Sequence, residues 1–192
     1  MKKLLTILSL TLTLQGCFFA AGAAAGAAAI TIVYDHRTLE KALDDTKIAN
    51  AIANKIHAIP ALREDSHIEV SVFNGIVLLT GETPNTEWRT QAEEIAKSVP
   101  GVSRVYNQLS IEGPTSTLTR TSDAWITTKI KSQMLATEDM KSSSIKVVTE
   151  NGVVYLMGMV TQEQAETAID IARQVSGVQK VVKIFQYVNK NQ

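Results

Sequence analysis

The chain carries the same pattern of apolar and polar positions twice. The stretch from Ile68 to Gly81 aligns without a gap with the stretch from Ile145 to Gly158. Three pairs mark the alignment along its length: Ile48 with Ile126, Gly75 with Gly152, and Gly101 with Gly177, at offsets of 78, 77 and 76 residues. An offset that drifts by only one residue at a time indicates that one small domain has been duplicated.

Each copy begins with a predicted amphipathic helix followed by a β-hairpin. Asp45 and Asp123 are predicted to cap the helices, because a carboxylate accepts hydrogen bonds from the first-turn N–H groups. Asn74-Gly75 and Asn151-Gly152 each join two runs of β-branched residues, and both residues of such a turn accept positive φ, which predicts a hairpin. Apolar residues recur every four positions in the helices, at Ile48, Ile52 and Ile56 and at Ile126, Ile130 and Met134.

A second helix and a last strand complete each copy. Alanine-rich helical spacing covers 85–98 and 162–176, and apolar runs follow at 102–111 and 178–188. The predicted fold class is α+β: helix, strand, strand, helix, strand, with a three-stranded mixed sheet covered by two helices on one face. Because small domains bury little core, we expect the two copies to dock on each other. Glycines are predicted to end these elements: Gly81 and Gly158 the second strand, Gly101 and Gly177 the second helix.

The N-terminal segment has the pattern of a bacterial export signal. Two lysines precede an apolar run at residues 4–14, which is the order of a signal peptide. The alanine- and glycine-rich residues that follow indicate a spacer within 17–44. The alternative is one uncleaved membrane-spanning helix over residues 4–33, since a span needs about 20 apolar residues.

The end of this apolar run resembles a lipoprotein processing site. Leu14-Gln15-Gly16-Cys17 is similar to the lipobox, in which the cysteine receives a diacylglycerol. The resemblance implies a signal peptide at residues 1–16 and a triacylated Cys17 at the start of the mature chain. Phe18 is not the aspartate that commonly retains such proteins in the inner membrane, so we expect the outer membrane, on its periplasmic face.

Composition removes several classes of function. The 19 basic and 19 acidic side chains cancel, so no global field attracts nucleic acid. A single cysteine excludes an intramolecular disulfide and a cysteine-rich metal site. His36, His57 and His67 share no spacing with acids that suggests a metal or a triad, and the chain has no Gly-rich phosphate loop. We therefore expect a binding protein that is not an enzyme and has no metal, other cofactor or small-molecule substrate.

The clearest difference between the copies lies in the first helix of the second copy. Trp125 replaces Lys47, and Leu135 replaces His57. A position that accepts lysine is a poor core position, so Trp125 is predicted to flank the buried stripe and to face outward. Lysines also appear on this helix where the first copy has alanine: Lys129 replaces Ala51 and Lys131 replaces Ala53. An exposed tryptophan beside lysines is typical of a helix that meets anionic headgroups. The alternative is that Trp125 packs against the other copy.

Both copies resemble the BON domain. The resemblance is carried by residues 125–129 with Ser132-Gln133, by residues 141–143, and by 149–152 running to Gly158. It places the first domain at 45–112, a linker at 113–121 and the second domain at 122–190. The pair behind a lipobox is similar to the dual BON-domain outer-membrane lipoproteins.

That resemblance implies a function at the cell envelope. Proteins of this kind bind anionic phospholipid, chiefly through the second domain, gather at the division site and support envelope integrity. The alternative is an adaptor that binds an outer-membrane assembly or peptidoglycan-remodelling machinery, so outer-membrane or division proteins are expected partners beside the anionic membrane. The candidate lipid-binding residues are Trp125, Ile126, Lys129, Lys131 and Leu135, and the lipidation site is Cys17.

Overall fold

The computed structural model describes residues 39–113, 117–138, 140 and 144–189. The predicted signal peptide, the lipidation site Cys17 and most of the predicted spacer lie outside the described residues, and so does His36. Within the described part, both copies fold as α+β units, here called repeat 1 and repeat 2.

Repeat 1 contains the predicted elements and one short additional helix. The added helix follows the first helix directly and starts at a proline, which suits a first helical turn. The elements are α1 (Leu39–His57), α2 (Pro60–Asp65), β1 (His67–Phe73), β2 (Ile76–Thr83), α3 (Thr86–Lys97), β3 (Arg104–Asn107) and β4 (Ser110–Ile111).

Repeat 2 follows the same order. Its first helix begins at Thr117, within the predicted linker, so the last five linker residues, 117–121, are helical. The elements are α4 (Thr117–Ala136), β5 (Ile145–Glu150), β6 (Val153–Val160), α5 (Gln162–Gln174) and β7 (Lys180–Tyr187).

Each repeat has the predicted mixed sheet. The hairpin strands pair antiparallel, β1 with β2 and β5 with β6. The last strand of each repeat then pairs parallel with the middle strand. In repeat 1 this last strand is divided into β3 and β4, which keep one register along β2, with Ile76 opposite Arg104 and Glu82 opposite Ser110. The predicted α+β fold is confirmed.

Two helices cover one face of each sheet. In repeat 1 the isoleucines of α1 pack with Val77 and Leu79 of the central strand, and in repeat 2 the isoleucines of α4 pack with Val154 and Leu156. Small residues let the second helix approach closely, and these are fully or almost fully buried: Ala92, Ala96, Ala165, Ala168 and Ala172. The periodicity of four therefore marked the core correctly.

The aspartates predicted to cap the first helices do not do so. The helices begin upstream, at Leu39 and Thr117, and both aspartates are buried within them. The Asp45 carboxylate accepts hydrogen bonds from the backbone N–H groups of Asn74 (2.7 Å) and Gly75 (2.9 Å). Asp123 holds the turn of repeat 2 in the same way, at 2.8 Å and 2.9 Å. Each aspartate thus fixes the hairpin turn to the helix.

The Asn-Gly turns have the predicted backbone conformation. Asn74 and Gly75 have φ values of 51° and 74°, and Asn151 and Gly152 have 49° and 73°. Two consecutive positive φ values fit the right-handed twist of a tight hairpin. The turn orients its N–H groups toward the buried aspartate.

Gly81 and Gly158 lie inside the second strand and do not end it. The strands continue for two further residues, to Thr83 and Val160. A Cβ atom at Gly81 would collide with the carbonyl oxygen of His67, and one at Gly158 would collide with the carbonyl oxygen of Ser144. These glycines therefore allow the start of the neighbouring strand to come close.

The sheet faces that the helices leave open pack against each other. A buried cluster joins side chains of both repeats: Phe73, Ile76 and Leu78 with Val148, Tyr155, Met157 and Ile184. We call this contact the inter-repeat interface. It confirms the expectation that the repeats dock, since each supplies the apolar cover that the other sheet lacks.

The inter-repeat interface has approximate two-fold symmetry. The Asn74 side chain donates to Gln186 Oε1 (2.7 Å) and contacts Met159 Sδ (3.6 Å), both in repeat 2. Its counterpart Asn151 donates to Glu82 Oε1 in repeat 1 (2.8 Å). Because Glu82 and Met159 are aligned positions of the two repeats, each turn contacts the same place on the other repeat.

We expect replacement of either buried aspartate to destabilise the protein. Asp45→Ala or Asp123→Ala leaves two turn N–H groups without their acceptor, and this costs about 2–4 kcal/mol in the free energy of unfolding. Urea unfolding followed by circular dichroism measures the change. Asp44→Ala is the matched control, because the neighbouring Asp44 only pairs with Lys47 on the exposed surface, and the expected change is below about 0.5 kcal/mol. Equal effects at positions 44 and 45 would contradict the assigned role.

Candidate functional site

Helix α4 exposes two large apolar side chains to solvent. Trp125 is 54% exposed and Leu135 is 75% exposed. They are ten positions apart in the sequence, which places them about 15 Å apart along the helix axis. The buried side chains of the helix, Ile126, Ile130 and Met134, lie on the opposite side. The two exposed residues therefore lie on the face that points away from the core, here called the outward face of α4.

Two lysines flank this face. At ~100° per residue, Lys129 lies on the side of Trp125 and Lys131 on the side of Leu135, each about 80° from the centre of the outward face. Both are exposed. Neither lysine forms an ion pair with a residue that the structure describes. The outward face is thus an apolar pair with a cationic group on either edge.

Ile126 does not belong to this surface. It is 1% exposed and packs in the core of repeat 2, where its Cδ1 atom would lie 3.0 Å from a Cβ atom at Gly177. The step of one residue from Trp125 turns the side chain from solvent to core. The inclusion of Ile126 among the candidate lipid-binding residues is therefore corrected.

Trp125 is also absent from the inter-repeat interface. The buried cluster between the repeats is formed by strand residues, and the indole keeps more than half of its surface in solvent. The alternative in which Trp125 packs against the other repeat is therefore wrong. The other tryptophan, Trp88, behaves differently, because it packs partly buried against the core of repeat 1.

Helix α1 lacks an equivalent surface. Lys47 occupies the place of Trp125 and pairs with Asp44 (2.9 Å), and His57 occupies the place of Leu135. Among the α1 side chains whose burial is described, from residue 40 onward, the exposed large apolar one is Leu43, 54% exposed, at the position of Thr121 in α4. The two helices share a buried stripe and differ on the side that faces solvent.

An acidic residue lies near the end of the outward face. Glu138 is exposed two residues after the last residue of α4. Asp139, which the sequence also places here, is outside the described residues. The carboxylate of Glu138 would repel an anionic partner, and it does so at the C-terminal end of the helix, away from Trp125.

Sequence reasoning missed a second chemical feature, a pair of buried glutamates at the inter-repeat interface. Glu82 is fully buried and Glu150 is 8% exposed. Burial, followed by the charges of Glu82, Glu69 and Asp123, raises the pKa of Glu150 to about 7. The alignment of the repeats could have indicated this pair, because Glu82 is aligned with Met159, and Glu150 with Phe73. A charge at a position that is apolar in the sister copy marks a site that the fold does not require.

No group of three His, Cys, Asp or Glu side chains in the described ranges is arranged to hold a metal ion. Among the helices that the structure describes, none is both long and apolar enough to cross a bilayer.

Comparison with known proteins agrees with the two repeats. The BON domain family matches residues 44–113 and again residues 122–189. The chain is 38% identical over 189 residues to the outer membrane lipoprotein DolP of Haemophilus influenzae, which covers 98% of this chain and 97% of the relative. It is 36% identical over 154 residues to the 21 kDa hemolysin of Actinobacillus pleuropneumoniae, covering 80% and 79%.

A more distant relative is the osmotically-inducible protein Y of Escherichia coli (strain K12). It is 31% identical over 121 residues, or 62% of this chain and 60% of the relative. None of these names describes a catalytic activity. Since one family matches both repeats and a relative aligns along nearly the whole sequence, the chain belongs to the BON domain family.

Proposed function

We propose that this protein is a lipoprotein of the outer membrane that binds anionic phospholipid through the outward face of α4. Cys17 carries the acyl chains, and the two repeats face the periplasm. The observation that carries the proposal is the exposure of Trp125 and Leu135 between two lysines. The relation to an outer membrane lipoprotein supports the location.

The residue types of the outward face suit a membrane surface. A tryptophan ring settles at the level of the headgroups, and a leucine beside it adds apolar area that leaves water. Each lysine near an anionic surface contributes about 1 kcal/mol. Because the apolar pair spans about 15 Å along the helix, both side chains reach the bilayer when α4 lies parallel to its surface.

The outward face alone gives weak binding. Two lysines and two apolar side chains supply only a few kcal/mol, roughly a millimolar affinity. An acyl tether at Cys17 raises the local concentration of the face at the bilayer, so that the two weak signals act together. The outward face then favours anionic headgroups over neutral ones, while the acyl chains keep the protein at the membrane.

The lysines favour lipid over a protein partner. Tryptophan is enriched in both kinds of interface, whereas lysine is depleted in the core of protein interfaces. We propose that this binding supports envelope integrity and cell division. A role as a protein adaptor is the competing outcome of the tests below.

We expect Trp125→Glu to abolish binding to phosphatidylglycerol vesicles. The substitution removes the interfacial ring and adds a negative charge, and the bound fraction of the chain that starts at residue 17, carrying Cys17→Ser, falls at least about tenfold. Vesicle flotation, with phosphatidylcholine vesicles as reference, measures this fraction. Because Trp125 is exposed, the melting temperature stays within about 2 °C of the parent.

The matched control is Lys47→Glu, at the aligned position of α1. It changes the net charge by two units where Trp125→Glu changes it by one, yet we expect vesicle binding to fall by less than about twofold, because α1 does not contact the bilayer. Retention of binding by Trp125→Glu would refute the lipid role of the outward face. A protein crosslinked to the face would then identify α4 as an adaptor surface.

A second test separates charge from apolar contact. We expect Lys129→Ala with Lys131→Ala to weaken vesicle binding by roughly 10- to 30-fold at low salt and to make the remaining binding less sensitive to salt. Lys180→Ala with Lys183→Ala removes the same charge from two exposed positions of strand β7 in the same repeat. If the two double variants lose binding equally, only the net charge of the protein matters.

A further inference from the structure

The inter-repeat interface contains a buried carboxyl pair that the fold does not need. Glu150 ends β5, and the next residue, Asn151, donates its side-chain N–H to Glu82 of repeat 1 (2.8 Å). In the aligned contact on the other side of the approximate two-fold axis, Phe73 stands in the place of Glu150 and Met159 in the place of Glu82. One half of the interface is therefore apolar where the other half carries two acids.

The surroundings of Glu150 are mostly negative. Glu82 of β2 and Glu69 of β1 face it from repeat 1, and Asp123 faces it from α4. Arg120, also on α4, acts in the opposite direction, because its positive charge favours the ionised carboxylate of Glu150.

Further titratable groups complete the surroundings. Tyr155 of β6 also faces Glu150, and burial together with the charge of Glu150 raises the pKa of its phenol. Lys146, on the same strand as Glu150, donates to the carbonyl oxygen of Val72 across the interface (3.3 Å). His67 lies opposite Glu82 in the β1–β2 register.

Ionisation of Glu150 therefore carries a cost in the folded protein. Its pKa of about 7 lies above the value of 4.5 for a free glutamate, chiefly because of burial and then because of Glu82. The folded state consequently holds a proton over this range that the unfolded state has released. Stability from this group is complete below about pH 4.5 and is lost as the pH rises to about 7.

We propose that Glu150 is a proton-operated latch of the inter-repeat interface: protonated, it lets the two repeats pack, and ionised beside Glu82 it weakens their contact. The latch acts at the Asn151 turn, which Asp123 of α4 also holds, so loosening reaches the helix that bears the outward face. The proposal does not depend on lipid binding.

A titration by NMR tests the latch directly. The carboxyl carbon of Glu150, observed in the chain that starts at residue 17 and carries Cys17→Ser, is expected to titrate with a midpoint between about pH 6 and 8. The side-chain amide of Asn151 is expected to shift with the same midpoint, because it is bonded to Glu82. The side-chain amide of Asn107, which donates to Arg89 and Glu93 within repeat 1, is the internal control and stays unchanged there. A Glu150 midpoint below pH 5.5 overturns the proposal.

Unfolding measurements give the independent readout. Between pH 5 and pH 8 the unfolding equilibrium constant of the parent is expected to rise by about 10- to 300-fold more than that of Glu150→Gln. Glu94→Gln, an exposed glutamate on α3, is the matched control and keeps the pH dependence of the parent. If Glu150→Gln does not fold, Glu82→Gln takes its place, because it removes the like charge and keeps an oxygen acceptor for Asn151. If Glu150→Gln, or Glu82→Gln in its place, keeps the pH dependence of the parent, the latch is contradicted.

Discussion

The packing of one open sheet face against another is the constraint on which this structure depends. Two helices cover one face of each three-stranded sheet, and the other face is apolar on the middle strand, at Ile76 and Leu78 in repeat 1 and at Tyr155 and Met157 in repeat 2. Such a face cannot remain in water at low cost, since each buried side chain of this size contributes about 1.5–3 kcal/mol. Each repeat therefore completes the other.

This arrangement decides which surfaces are left for function. With the sheets turned inward, the helices form the outside of the molecule, and the solvent-facing sides of α1 and α4 become available to partners. The fold imposes little on those sides, so the two copies have diverged there. Lys47 remains an ordinary surface residue, whereas Trp125 places an indole in water. Trp125 and Leu135 together form the exposed apolar surface on which the proposed membrane binding rests.

The same comparison applies to the interior. Phe73 and Met159 on one side of the two-fold axis occupy the same positions as Glu150 and Glu82 on the other. The acidic pair costs more free energy to bury than the apolar pair. Replacing buried acids by apolar residues of similar volume is often neutral or stabilising, so Glu82 and Glu150 are not explained by stability. The Asn151 turn follows Glu150 directly and donates both to Glu82 of repeat 1 and to Asp123 of α4. The buried acids are therefore linked through this turn to the helix that carries the outward face.

The repeat, the order of the elements, the buried stripes of both first helices and the Asn-Gly hairpins all follow from the amino-acid pattern. They depend on local periodicity and on backbone preferences that any copy must satisfy. The sequence also predicted that Trp125, Lys129, Lys131 and Leu135 lie at the surface, since the aligned copies differ there. The remaining features depend on contacts within the folded protein. The aspartates stabilise turns about 30 residues away, and two glutamates become internal only when the sheets meet. Contacts between residues distant in sequence set those outcomes, and local patterns carry no information about them.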